Sequence, residues 1–214
     1  MTTSTEIQIC DICNTELTPN EIHGGIASGF PTQGFSCHKC ERISTTLGKR
    51  YVTAKMEDIK NIKQYNEILD FTNNNEGGLF IHGTVGTGKT HVAAAICRNL
   101  EHYVGTTAPK LMLKLKDSFN NEHVNETEII KNYGSYPMLV LDDLGVEKSS
   151  EYVIQSLYLI IDQRYRDMRS TVITSNLSLT ELAQKLDDRI ASRIAGMCKI
   201  IKLEGKDRRL KGDK

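Results

Sequence analysis

Tryptophan is absent from this chain, neither sign of charge is in excess, and no long hydrophobic run occurs. The 27 basic and 27 acidic side chains cancel. That balance excludes a global field drawing in nucleic acid and confines any such contact to local basic patches. Without a stretch of about 18 apolar residues, no membrane span is expected. The opening MTTSTEIQIC carries no basic segment followed by an apolar one, so it is no secretory signal. A reducing, cytoplasmic compartment is the expectation, and there a disulfide framework is disfavoured. What is present is a chain of 214 residues, enough for one full core and a small additional module.

The pattern changes near residue 50. Before it the chain is rich in Gly, Thr and Ser, and HGGIASGFPTQGF (23–35) reads as hairpin and loop. So short a segment needs a metal or disulfides to fold. Residues 1–49 are therefore assigned to a small stapled module and 50–214 to the main domain. In the latter, Ile59, Ile62, Tyr65 and Leu69 recur at helical spacing. Expected strands follow at GLFIH (78–82), KLMLKL (110–115), PMLVLDD (137–143), STVITSN (170–176) and MCKIIKL (197–203). Expected helices lie between them over 91–100, 151–167 and 178–186. This alternation predicts an α/β fold, a parallel sheet sandwiched by helices.

GTVGTGKT, Gly83 to Thr90, follows one expected strand and opens an expected helix, the context that G-x-x-x-x-G-K-[ST] requires. Gly83, Gly86 and Gly88 let the backbone turn its N–H groups inward toward phosphate oxygens, and Thr84, Val85 and Thr87 belong to the same cradle. The helix start, through His91, adds its positive end. Lys89 is placed to reach β- and γ-phosphates, and the Thr90 hydroxyl to hold magnesium. The implied ligand is ATP with Mg2+; the bland alternative is an ordinary glycine-rich turn. Asp142 and Asp143 end the apolar run Met138–Leu141 at the carboxyl edge of the sheet, where open α/β folds bind ligands. Asp142 is the expected magnesium carboxylate. Asp143 is the expected base that orients and deprotonates the attacking water. A solvated Asp-Asp turn is the competing reading.

Four of the six cysteines form two C-x-x-C knuckles, Cys10 with Cys13 and Cys37 with Cys40, separated by residues 14–36. Each knuckle presents two sulfurs toward one point, which suits tetrahedral thiolate coordination of zinc with no position left open for catalysis. His23 and His38 are weaker candidate ligands, and an iron–sulfur cluster or a redox-active C-x-x-C are the competing readings. Cys97 and Cys198 stand in apolar surroundings and read as core residues. Lys110, Lys114 and Lys116 alternate with leucines, as on the solvated face of a strand; contact with single-stranded DNA is the other reading. Arg42, Lys49 and Arg50 either touch DNA or solvate a linker.

The phosphate loop, the Asp142–Asp143 pair, TSN (174–176) and DDRIASRI (187–194) occur in one order. In that order they resemble the DnaC/DnaI/IstB branch of AAA+ ATPases over about residues 50–214. The branch contains replicative-helicase loaders of bacteria and phages and the ATPase subunits of some transposons. The resemblance implies that Asn176 is sensor 1, positioning the hydrolytic water, with a helix cap as its bland alternative. It implies that Arg189, or else Arg193, is an arginine finger acting in a neighbouring subunit. Ion pairs with Asp187 or Asp188 are the alternative there. Arg209, or Arg208, resembles a sensor-2 arginine. Asp143 stands where many AAA+ proteins carry Glu, so slow hydrolysis is expected, a switch more than a motor. The sequence ends with KIIKLEGKDRRLKGDK (199–214), and by the resemblance a reduced or absent lid domain is expected. Residues from Tyr51 to Ile59 are expected to wall the adenine by position.

The expected function is loading of a hexameric replicative DNA helicase in a bacterial cell or phage-infected host. The chain would self-associate through its ATP sites and engage single-stranded DNA, and hydrolysis would release it. Some loaders of this branch carry an N-terminal zinc module, which fits the four cysteines. An IstB-like ATPase of a DNA transposition system is the alternative. A small-molecule phosphotransferase and a zinc adaptor with a degenerate nucleotide site are disfavoured by the Asp pair and by the intact Lys89 and Thr90.

Overall fold

The computed structural model describes residues 9–17, 23–24, 35–74, 76–120, 125–145, 150–205 and 207–208. Strands β1 (His23–Gly24) and β2 (Phe35–Ser36) pair antiparallel, and α1 (His38–Thr46) follows them. Two short 3-10 turns, Lys49–Tyr51 and Met56–Asp58, lead to α2 (Ile62–Asn74), β3 (Gly78–His82) and α3 (Lys89–Asn99). Next come β4 (Val104–Thr107), α4 (Ala108–Asn120), α5 (Glu126–Ser135) and β5 (Met138–Leu144). The chain continues through α6 (Glu151–Arg166), β6 (Ser170–Ser175), α7 (Leu179–Lys185), α8 (Asp188–Met197) and β7 (Cys198–Lys202).

The larger sheet has the order β4-β5-β6-β3-β7, and every pair in it is parallel. Because side chains alternate across a strand, Leu79 and Ile81 of β3 enter one core while Phe80 enters the other. The first core is completed by Ile43 of α1, Ile68 and Phe71 of α2, and Val92 and Ile96 of α3. The second takes Leu111 and Leu115 of α4, Tyr133 of α5, Leu157 and Ile161 of α6, and Ile190 and Ile194 of α8. Three layers result, as the strand–helix alternation requires. No helix among the described residues is long and apolar enough to cross a membrane.

Three expectations are corrected. KLMLKL is part of α4, and the strand of this unit is β4, just before it. The alternation of Lys and Leu hid a helical face, since Ala108, Leu111, Met112 and Leu115 are buried while Leu113 is 60% exposed. That is the i, i+3, i+4, i+7 spacing of a helix packed on one side. The helix before β3 starts at Ile62, itself 71% exposed, and buries Ile68 and Phe71; Ile59 lies ahead of it in extended backbone. Finally, α5 has no counterpart in the expected elements, although Asn125 caps it by accepting from the Thr127 N–H.

Arg164 of α6 is fully buried. Its guanidinium donates to the carbonyls of Tyr133 and Tyr136 at 2.8 Å and of Ser170 at 2.6 Å, and to the Thr171 hydroxyl at 2.9 Å. It thereby satisfies backbone at the starts of β5 and β6, the two strands whose far ends carry the candidate site. Burial pulls this guanidinium down to about 10, a cost offset by its multiple acceptors. Arg164→Met should lower unfolding stability by roughly 3 kcal/mol, because buried carbonyls lose their donors. Urea unfolding checks it; a change below about 0.5 kcal/mol would show that water replaces the guanidinium there.

Candidate nucleotide site and cysteine centre

The loop between β3 and α3 needs glycine for two separate reasons. Gly88 caps α3 with φ 100°, a left-handed backbone that other residues adopt only with strain. At Gly83 a Cβ would be driven into the Leu203 carbonyl, where the chain leaves β7 beside the loop. Lys89 is buried, and its ammonium donates to the Gly83 and Thr84 carbonyls at 2.8 Å each, while the Thr87 hydroxyl donates to Thr84 O at 2.9 Å. The cation is thus held inside the loop, at the positive end of a helix.

β5 lies beside β6, which lies beside β3, so the carboxyl ends of these strands meet next to the loop. Asp142 is 2% exposed. Its Oδ2 accepts from the Thr90 hydroxyl at 3.1 Å, and its Oδ1 from the Thr174 hydroxyl at 2.6 Å. Desolvation raises Asp142 to about 6; the neighbouring Asp143 pushes the same way, while the Thr174 and Thr90 hydroxyls oppose it. Asp143 has φ 59°, and pairing of β5 with β6 shifts between Leu141 and Leu144. Its N–H leaves the ladder and donates to Thr174 Oγ1 at 3.0 Å. Asp tolerates this left-handed backbone better than most residues, and the turn brings Asp143 into the wall of the cavity while Asp142 stays buried.

That cavity, about 500 Å³, lies over the loop and is lined by Lys89, Thr90, His91, Asp143 and Asn176. Asn176 is not the helix cap: Ser178 caps α7 in a box with Glu181. On the other side stand Arg50, Tyr51, Glu57 and Asp58, the last three from the segment Tyr51–Ile59. Asp58 accepts from His91 at 2.7 Å, tying the Met56–Asp58 turn to the first turn of α3. Arg208 also lines the cavity, and its N–H donates to the Gly86 carbonyl at 3.0 Å. Arg209 lies outside the described residues. Arg189 and Arg193 do not reach this chain's own cavity. Arg189 pairs with Asp187 at 2.9 Å and lies over the Tyr158 ring; Arg193 pairs with Asp162 at 2.8 Å and lies over Tyr165.

Cys10, Cys13, Cys37 and Cys40 converge, all four sulfurs within 4.8 Å of one another. Cys10 to Cys40 is 4.0 Å and Cys13 to Cys37 is 3.7 Å. A tetrahedron with metal–sulfur bonds of about 2.3 Å has edges of roughly 3.8 Å, so the set fits a zinc-sized ion. The Cys37 N–H donates to Cys10 Sγ at 3.3 Å and the Cys40 N–H to Cys37 Sγ at 3.4 Å, donors suited to thiolate. His38 is exposed, and the side chain of His23 is not described. Cys97 and Cys198 are core residues, and burial pushes both up to about 12. Of the residues read as DNA contacts or solvated linker, Arg42 donates to the carbonyls of Glu101 and Tyr103, and Arg50 is exposed and lines the cavity.

Sequence reasoning passed over Thr174, which touches both acids, because a threonine in a strand looks like β propensity. It also passed over Arg98 at the end of α3, a position where a basic residue is ordinary helix chemistry.

Sheet, phosphate loop and paired acids define a P-loop nucleotide-binding domain of the AAA+ type. A family model described as IstB-like ATP binding protein matches residues 42–214. The chain belongs to that family. The replicative helicase loader DnaC of Escherichia coli (strain K12) is 29% identical over 144 residues, 65% of this chain and 58% of the loader. The chain therefore spans little more than half the length of that curated relative. A crystal structure of the DnaC helicase loader superposes with a TM-score of 0.64 at 30% identity, covering 73% of this chain and 99% of the other. A crystal structure of DnaI gives 0.64 at 27% identity, covering 75% and 93%.

The Asp142 carboxyl has a distinct pH signature. Its folded pKa, about 6, is raised above the ordinary 3.8. The stability it contributes is therefore complete below about pH 4 and lost as pH rises through 6. In Asp142→Asn, Oδ1 keeps the Thr174 donor and the new amide can donate to Thr90. The nucleotide-free variant should be more stable than the parent by about 1–2 kcal/mol at pH 7.5, with the gain fading toward pH 4. Unfolding curves across pH check this; a variant less stable than the parent at pH 7.5 contradicts it.

Proposed function

We propose that this chain is an ATP-dependent loader of a hexameric replicative DNA helicase. The observation that carries the reading is the meeting of Lys89, Thr90 and Asp142 beside one cavity, in a fold similar to both DnaC and DnaI. Lys89 holds the β- and γ-phosphates, and the Thr90 hydroxyl and the Asp142 carboxylate hold magnesium. Thr174 fixes the rotamer of Asp142 from the far side. Asp143 takes the proton of the water that attacks the γ-phosphorus as the bond to the ADP oxygen breaks, and Asn176 orients that water. Arg208 or Arg209 contacts the phosphates from the carboxyl-terminal segment.

Arg189 sits on α8, away from its own cavity and 56% exposed at its side chain. That placement supports a finger offered to a neighbouring subunit, with Arg193 as the second choice. Subunits then self-associate through their ATP sites, and γ-phosphate contacts couple hydrolysis to release. Single-stranded DNA is the nucleic acid engaged. Lys110 and Lys114 of α4 are partly occupied within the fold, at the Thr45 carbonyl and the Tyr133 ring. The four-cysteine module binds zinc and docks the helicase. The IstB-like family model favours a second reading, an ATPase subunit of a DNA transposition system.

The deciding experiment is co-purification with the host's hexameric helicase, with and without ATP. ATP-dependent capture of the helicase supports the loader. Duplex-dependent assembly without helicase binding supports the transposition ATPase. Lys89→Ala should abolish nucleotide binding and capture while leaving metal content unchanged. Arg189→Ala should keep nucleotide binding and lose most turnover and ATP-dependent assembly, by roughly 10³-fold in turnover if it is the finger. Turnover at the parent's level in Lys89→Ala would remove the site assignment.

A further inference from the structure

The cysteine centre and the nucleotide cavity are joined by one short stretch of chain and by a common core. Cys37 and Cys40 open α1, and α1 leads through Gly48 into the Lys49–Tyr51 turn, whose Arg50 and Tyr51 line the cavity. Ile43 and Leu47 of α1 are in the same core as Val92 and Ile96 of α3, and Ile12, between two of the cysteines, packs on that core too. Arg98 closes a second path. It lies near the carboxyl end of α3, eight residues after Thr90, about 12 Å along the helix. Its Nη2 is 3.8 Å from Cys40 Sγ and also donates to the Val52 carbonyl, while Nε donates to the Ala54 carbonyl at 3.2 Å. One planar guanidinium therefore holds a sulfur of the centre, the segment following Tyr51, and the helix that carries Lys89 and Thr90.

Four thiolates around a divalent cation leave a net double negative charge, and a cation in contact with one sulfur is an outer partner of such a centre. A metal fixes where Cys37 and Cys40 sit, and hence where α1 starts. Arg98 then sets Val52 and Ala54, and through them the cavity wall.

We propose that the four-cysteine centre and the nucleotide cavity are energetically coupled, with Arg98 as the positioning residue between them. Metal on the sulfurs tightens nucleotide binding, and nucleotide tightens metal retention by the same factor. This rests on the reading that the sulfurs hold zinc and the cavity holds ATP.

The test uses the full chain as purified, with its metal content measured first; about one zinc per chain is expected. A zinc-selective chelator then strips it, with and without a saturating non-hydrolysable ATP analogue and magnesium. Nucleotide should raise the chelator concentration that removes half of the metal at equilibrium roughly tenfold. Arg98→Met should lose metal at a chelator concentration about 10- to 100-fold lower and no longer respond to nucleotide. Arg42→Met loses the bonds from α1 to the Glu101 and Tyr103 carbonyls but touches no sulfur, and should keep the response. Release from the parent that ignores nucleotide overturns the coupling, whether or not the variants fold. An intact response in Arg98→Met, or its loss in Arg42→Met as well, overturns the assignment to Arg98. A parent purified without metal overturns the zinc reading and the coupling with it.

Discussion

The site depends on one carboxylate kept almost entirely out of water. Asp142 would ionise near the ordinary carboxylate range in solvent, yet burial holds its proton to about pH 6. The hydroxyls of Thr90 and Thr174 are what make its ionised form tolerable, one on each oxygen. Those two partners come from different elements, the first turn of α3 and the end of β6. The acid therefore reports the alignment of loop, central strand and neighbouring strand at once. A buried carboxylate with two hydroxyl donors and a lysine in the adjoining loop is high in energy without a cation and well matched to a hard one.

Asp143 shows the same logic in the backbone. Its left-handed conformation breaks the pairing of β5 with β6, and its N–H turns to Thr174. Two adjacent acids thereby take different surroundings, one buried and one facing the cavity. A regular strand would also send them to opposite faces, but would leave Asp143 aimed at the helices of the second core instead of the cavity. Thr174 serves both acids, so the sheet and the edge of the cavity share one hydroxyl.

The cysteine module extends this pattern of shared groups. It packs on the nucleotide domain, with α1 contributing to the same core as α3 and with Arg42 and Arg98 binding backbone on either side of the contact. A helix that begins at a four-sulfur cluster and runs into the wall of the cavity makes the two sites neighbours in structure, though their motifs are about 50 residues apart in the chain. Arg189 and Arg193, in contrast, lie on α8 outside that cavity, with aromatic and acidic partners of their own.

Much of this was legible in the chain alone. The strands β3, β5, β6 and β7 and the helices α3, α6 and α7 were read because buried strands need short apolar runs and packed helices need a 3.6-residue period. The phosphate loop, the acid pair and the four thiols were read because phosphate and metal recognition tolerate few residue types at those spacings, whereas Asn176 came from the family resemblance alone. KLMLKL misled, since a strand's alternation and a helix's face are indistinguishable over six residues until the neighbouring core selects one. Only the tertiary structure decided that Thr174 joins the two acids, that Arg50 stands beside Tyr51 in the opposite wall, and that Arg98 links a sulfur to the nucleotide helix. Each of those depends on which elements lie side by side, and residues far apart in sequence acquire a shared role only when packing brings their polar atoms within hydrogen-bond reach.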